Sequence, residues 1–176
     1  MTNTIQILND HSRWGKLSNS SSRLDNINLD NLRWRSINRY VYGSMLENKN
    51  IIQNTKDSKD VYKHFTTQKK NEQDNHLIES LTKAVEAKFS FPLENGKISK
   101  NIPDFINILL NTGTAPIYYM SPNELLGLGR EENKKPNGCN KYGKILEQRR
   151  SELFIEKHSK MLEEFSNEQQ ININKI

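Results

Sequence analysis

The sequence predicts an α+β fold, helix-rich, built as one compact domain with short strands and a long C-terminal helix. Three observations predict it. Apolar residues recur at helical spacing over Leu77–Phe89, Phe105–Leu110 and again from Ile145. Short β-type runs, TIQIL and APIYYM, lie outside those stretches. The chain has 176 residues and 20.5 kDa, the length of one domain with a real core. Hydrophobic content of 34% and a mean hydropathy of −0.85 require part of it to be solvated loop or tail.

In order, Thr4–Leu8 alternates and reads as a first strand. WGKLSNSSSRLDNINLD is loop, leading to an edge strand at Ile27–Leu29, and Asn31–Arg35 is extended. Ser36 fits an N-cap, because its hydroxyl accepts from a free amide of the first turn. Ile37, Tyr40, Val41 and Met45 then share one face of a helix over 36–47. A helix start at Asp57 or Ser58 would turn Val61, Tyr62 and Phe65 inward, and TTQKKNEQDN reads as an exposed connection. Leu77, Ile78, Leu81, Ala84, Val85 and Phe89 give the clearest buried face, on a helix over 76–89. FPLENGKISKN is rich in turn residues. Pro103 suits the first turn of a helix over 103–111, and Gly113 its stop. Ile117–Met120 is a short strand ending in the turn SPNE. The last helix starts near Lys141 and runs to about Gln169, with Ile145, Leu146, Leu153, Ile155, Met161, Leu162 and Phe165 inward. There is no internal repeat and no coiled-coil heptad.

Between that strand and the last helix lies PNELLGLGREENKKPNGCNKYGKILEQRR, which holds four of the chain's eight glycines: Gly127, Gly129, Gly138 and Gly143. Glycines at a strand end and a helix start mean close backbone approach, either to another segment or to a ligand. The prolyl loop Arg130–Cys139 would form a mobile wall beside them.

No apolar run approaches the ~20 residues of a membrane helix, and MTNTIQILNDHSRW lacks the pattern of a secretory signal. Cys139 is the single cysteine, which excludes an internal disulfide and fits an intracellular, cytoplasmic setting. The net charge of +5 is spread as short pairs such as Lys134–Lys135, so it permits an acidic partner without demanding one. His11, His64, His76 and His158 sit in no catalytic pairing, and no metal or cofactor is expected. The heavy use of Asn, Lys and Ile suggests an AT-rich genome, as in many protists and large DNA viruses.

Five segments occur in a telling order: LSN (Leu17–Asn19), WRSINRY (Trp34–Tyr40), EAKFS (Glu86–Ser90), ILLNTG (Ile108–Gly113), and LLGLG…GCNKYGKILEQRR. Together they resemble the NADAR family of YbiA-like N-glycosidases, whose motifs run LSN, W-x-x-x-E-H-Y, K-F, L-L-x-T, D-x-x-W-G-x-G and G-x-N-x-x-G-x-x-L-x-x-x-R. The resemblance implies one such domain over 1–153 with a polar insertion near 51–75, then a C-terminal helix extension and frayed tail over 154–176. It implies cleavage of an N-glycosidic bond in a ribosylated pyrimidine or an ADP-ribosylated base. Positive charge then develops at the sugar, where a carboxylate stabilises it or activates water.

Carried over by position, the candidate catalytic residues are Asn38, Asn123 and Glu124. Asn38 stands where the family has its glutamate, Asn123 where it has its aspartate, and Leu126 where it has a tryptophan. An amide keeps a carboxylate's size but carries no negative charge and accepts no proton usefully. Glu124, one position along, is a stand-in acid or simply an exposed turn residue. Ser18, Asn19, Tyr40, Lys88, Gly127, Gly129, Gly138, Asn140 and Arg150 keep the implied ligand-binding positions. The plainer roles are a core or rim aromatic for Tyr40, a solvated helix end for Lys88 and a salt bridge for Arg150. The implied partner is a nucleotide or ADP-ribose-like small molecule, or ADP-ribosylated nucleic acid, without a membrane. The alternative is a non-enzymatic structural or assembly protein, for instance of a large DNA virus, with protein partners.

Overall fold

A computed structural model describes residues 4–8, 12–19, 27–44, 70–129 and 138–173. Strand β1 (Ile5–Ile7) pairs in parallel with β6 (Ile117–Tyr119), Ile5 opposite Ile117 and Ile7 opposite Tyr119. Two further strands, β2 (Ile27–Leu29) and β3 (Leu32–Trp34), form an antiparallel hairpin. Its two-residue turn is Asp30–Asn31, both with positive φ (53° and 60°), the geometry that matches strand twist.

Helix α1 (Ile37–Ser44) follows, and Ser36 caps it as expected: its Oγ accepts from the Arg39 amide at 3.3 Å. Residues 45–47, the helix start near Asp57 and the wall 130–137 lie outside the described residues. Helix α2 (Lys70–Lys88) begins earlier than its apolar pattern suggests. Residues 70–75, read above as connection, are helical, because Lys, Glu and Gln propagate a helix without needing a core partner. Its face Leu77, Leu81, Ala84 and Val85 is buried as expected, together with Phe89 just beyond it.

The turn-rich FPLENGKISKN is a second hairpin, β4 (Leu93–Glu94) with β5 (Lys97–Ile98), around Asn95–Gly96 with φ of 54° and 77°. Helix α3 (Asp104–Leu110) starts directly after Pro103, whose carbonyl accepts from the Ile106 amide at 3.0 Å. The chain turns away through Gly113 at φ 58°.

Helix α4 (Lys141–Ile173) is one continuous helix of 33 residues. Tyr142, Leu146 and Leu153 are buried in the core with Trp34, Ile37, Leu81, Phe89, Ile106 and Ile117. The inward assignment fails after Leu153: Ile155, Met161, Leu162 and Phe165 are exposed, as is Phe154. The stripe through Leu146 and Leu153 continues to Lys160, so the core face ends there in the sequence itself. Among the described residues no helix is long and apolar enough to cross a membrane.

Candidate functional site

At the carboxyl ends of β1 and β6 three of the quoted segments meet: LSN, WRSINRY and the glycine-rich last one. Gly15–Leu17 form a single 3-10 turn whose carbonyls are claimed from two sides. Tyr142 donates its hydroxyl to the Leu17 carbonyl at 2.6 Å, and the Lys88 ammonium donates to the Lys16 carbonyl at 3.2 Å. Ser18 and Asn19 follow, both buried. The Asn19 carbonyl accepts from the Asn38 amide at 2.9 Å, which joins the turn to α1. Asn19 Oδ1 accepts from the Tyr119 hydroxyl at 2.6 Å, which joins it to β6. Asn140, at φ 51°, completes the chain: its Oδ1 accepts from the Tyr119 amide at 3.0 Å and its Nδ2 donates to the Ile117 carbonyl at 2.8 Å. Asn38, Asn19, Tyr119 and Asn140 are therefore linked by consecutive hydrogen bonds.

Below that line the turn after β6 folds onto the start of α4. Asn123 Oδ1 accepts from the amides of Leu125 and Leu126 at 3.0 and 3.1 Å, closing the turn as a helix cap would. The Glu124 carbonyl then accepts from Cys139, Leu125 from Lys141, Leu126 from Tyr142 and Gly127 from Asn140. The opening amides of α4 are thus spent on the turn rather than presented to solvent. A Cβ on Gly127 would lie 2.6 Å from the Tyr119 carbonyl oxygen, and one on Gly138 would overlap the Gly127 carbonyl. Of the two reasons for glycine here, close approach of chain to chain is the one the geometry displays. Gly129, at φ 93°, is glycine for its backbone conformation. Leu126, where the resemblance places tryptophan, is buried.

The other named residues lie apart from this line. The Tyr40 hydroxyl donates to Asp30 at 3.3 Å, and Lys83 bridges to the same carboxylate at 2.7 Å. Burial, foremost, raises the Tyr40 phenol above its ordinary range, and the hydrogen bond to Asp30 raises Lys83. Lys88 is no solvated helix end. It is buried, with its ammonium 5.3 Å from the centre of the Phe89 ring and 5.6 Å from that of Phe105. Arg150 makes hydrogen bonds instead of the salt bridge: its Nη1 donates to Thr112 Oγ1 at 2.8 Å and to the Ala115 carbonyl at 2.7 Å. Burial lowers its pKa. Arg150 is about 15 Å along the helix from Asn140, at the opposite end of β6. Glu124 is exposed at the turn surface.

Among solved structures, the NMR structure of the E. coli protein YbiA matches with a TM-score of 0.68, over 89% of this chain and 89% of that one. The chain has the YbiA fold. Sequence identity is 19%, no family model matches, and no curated protein matches. Within this YbiA fold the five short segments occupy joined positions. The Arg150–Thr112 bond ties the last of them to ILLNTG, and the Lys88–Lys16 bond ties EAKFS to the residue before LSN. Tyr119 and Tyr142, the two side chains that connect most of these pieces, were not singled out from the sequence. Their rings stand edge to face, 4.9 Å between centres. The signal for Tyr119 was the period-two alternation of IYY, which turns Tyr118 outward and Tyr119 inward.

Proposed function

We propose that this protein is a divergent NADAR family member that binds a nucleotide or ADP-ribose-type ligand at the carboxyl ends of β1 and β6, with N-glycosidase chemistry weakened or lost. The observation that carries this reading is the hydrogen-bonded line Asn38–Asn19–Tyr119–Asn140, which gathers separated motif positions at one end of the fold. The two amide replacements differ in consequence. At 123 the side-chain oxygen caps a turn, a task that amide and carboxylate share, so the exchange leaves the architecture intact. Residue 38 is half-buried, its backbone N–H bonded to the Asn19 carbonyl, and a carboxamide there supplies neither negative charge for an oxocarbenium-like state nor a base for water.

Thermal unfolding with ADP-ribose and with ribose 5-phosphate tests binding, since a ligand held only by the folded chain raises the melting temperature. Catalysis is tested by release of free base from ribosylaminouracil phosphate and from ADP-ribosylated DNA. Asn38→Glu with Asn123→Asp restores an acid worth about 100- to 10,000-fold in rate, so turnover should rise in that variant. Wild-type turnover abolished by Glu124→Gln would instead make Glu124 the catalytic acid. One observation favours the second reading, an assembly protein on this fold: the distal half of α4 exposes five large apolar side chains. Absence of both ligand stabilisation and turnover would favour that reading.

A further inference from the structure

Beyond Leu153 none of the described residues of α4 is buried, and about 30 Å of helix extends past the core. Phe154, Ile155, Met161, Leu162 and Phe165 are 54%, 66%, 57%, 69% and 63% exposed. Their spacing places them on one stripe with His158, whose ring lies 4.7 Å from that of Phe154. The stripe is rotated about 130° from the face that buries Leu146 and Leu153, so it is a separate surface and not a frayed end of the core. At its inner end it opens into a groove of about 470 Å³ lined by Gly113, Thr114, Arg150, Ser151, Phe154 and Ile155.

We propose that this stripe pairs with the same stripe of a second copy of this chain, the two α4 helices running antiparallel. The five side chains offer on the order of 100 Å² each. With the groove rim, two copies would bury about 1,200–1,400 Å², which reaches the range of specific interfaces. Four of the six stripe positions pair about a two-fold axis between Ser159 and Lys160, with Ile155 and Leu162 falling between those layers. In that register Phe154 faces Phe165 of the second copy, and His158 faces its Met161, as a symmetric interface requires. Direction follows from the groove. Phe165 is about 16 Å along the helix from Phe154, so an antiparallel partner delivers its Phe165 to the groove mouth. A parallel partner would leave both grooves unfilled at the same end.

Sedimentation velocity on the full chain should give twice the 20.5 kDa chain mass. Leu162→Glu with Phe165→Glu should raise the dimer dissociation constant at least about 100-fold, since buried apolar anchors dominate such interfaces. The far-ultraviolet circular dichroism should be unchanged, because both residues are exposed in the protomer. In a Cys139→Ser background, a mixture of His158→Cys and Met161→Cys chains should form the mixed disulfide in preference to either homodisulfide. A wild-type monomer at concentrations up to about 100 μM would overturn the pairing. So would a dimer unaffected by the two glutamates, and preference for both the 158–158 and the 161–161 homodisulfides would overturn the antiparallel direction.

Discussion

Asn123 holds the amides of Leu125 and Leu126 on one side-chain oxygen, and that fixes what its replacement should do. Asn123→Asp keeps the acceptor and should change stability by less than about 0.5 kcal/mol. Asn123→Ala removes it and should cost about 1 kcal/mol in urea unfolding. If Asp proved as damaging as Ala, the capping role would be wrong. Lys88 and Arg150 show the same economy of position. The plainer alternative to a ligand-binding role sends the charge of Lys88 to solvent and that of Arg150 to a carboxylate, yet each donates to a backbone carbonyl of another segment. Their long stems reach a neighbouring chain that only the folded protein brings near.

At the level of elements, the start of α4 against β6 is the tightest joint. Gly143 lies in the first turn of α4, where alanine would ordinarily favour the helix by about 1 kcal/mol. Here a Cβ would overlap the Ile117 carbonyl and crowd the Asn140 side chain at 2.5 and 2.6 Å. Gly143→Ala should therefore destabilise by about 1–3 kcal/mol, the reverse of its helix propensity. A thermal melt that rose would show that β6 can yield. The two hairpins show a different dependence. Asp30–Asn31 and Asn95–Gly96 close two-residue turns by local preference, and the Asn-Gly pair was readable as such without any packing.

Over the whole molecule, Asp30 connects the β2–β3 turn to α1 through Tyr40 and to α2 through Lys83. Both partners are raised above their ordinary pKa, Tyr40 chiefly by burial and Lys83 chiefly by its bond to Asp30. Raised values in the folded state mean a contribution fully present below about pH 10 and lost as pH climbs through the folded values. Asp30→Asn removes the main cause at Lys83 and a smaller one at Tyr40. Its alkaline loss of stability should thus be shallower than that of wild type, read from melting temperatures between about pH 8 and 11. Parallel curves would show that Asp30 is not the link.

What the sequence determined by itself is the set of local pieces and their order. The period of Leu77–Phe89 specified a buried helix face, Ser36 a cap, Gly113 a stop, and the five short segments a resemblance that the YbiA fold bears out. These rest on propensity and periodicity, which act within a few residues. Only the tertiary structure decided what those pieces touch. It joined β1 to β6 in parallel across more than a hundred residues, and it brought the Asn38 backbone N–H to Asn19 and the Asn140 side chain to Tyr119, two residues that bond each other. It also spent the glycines near Asn123 on backbone contact. The apolar residues after Leu153 mark the boundary most sharply. Their spacing specifies a face, but a face is buried only where another surface stands opposite, and among the described residues none does.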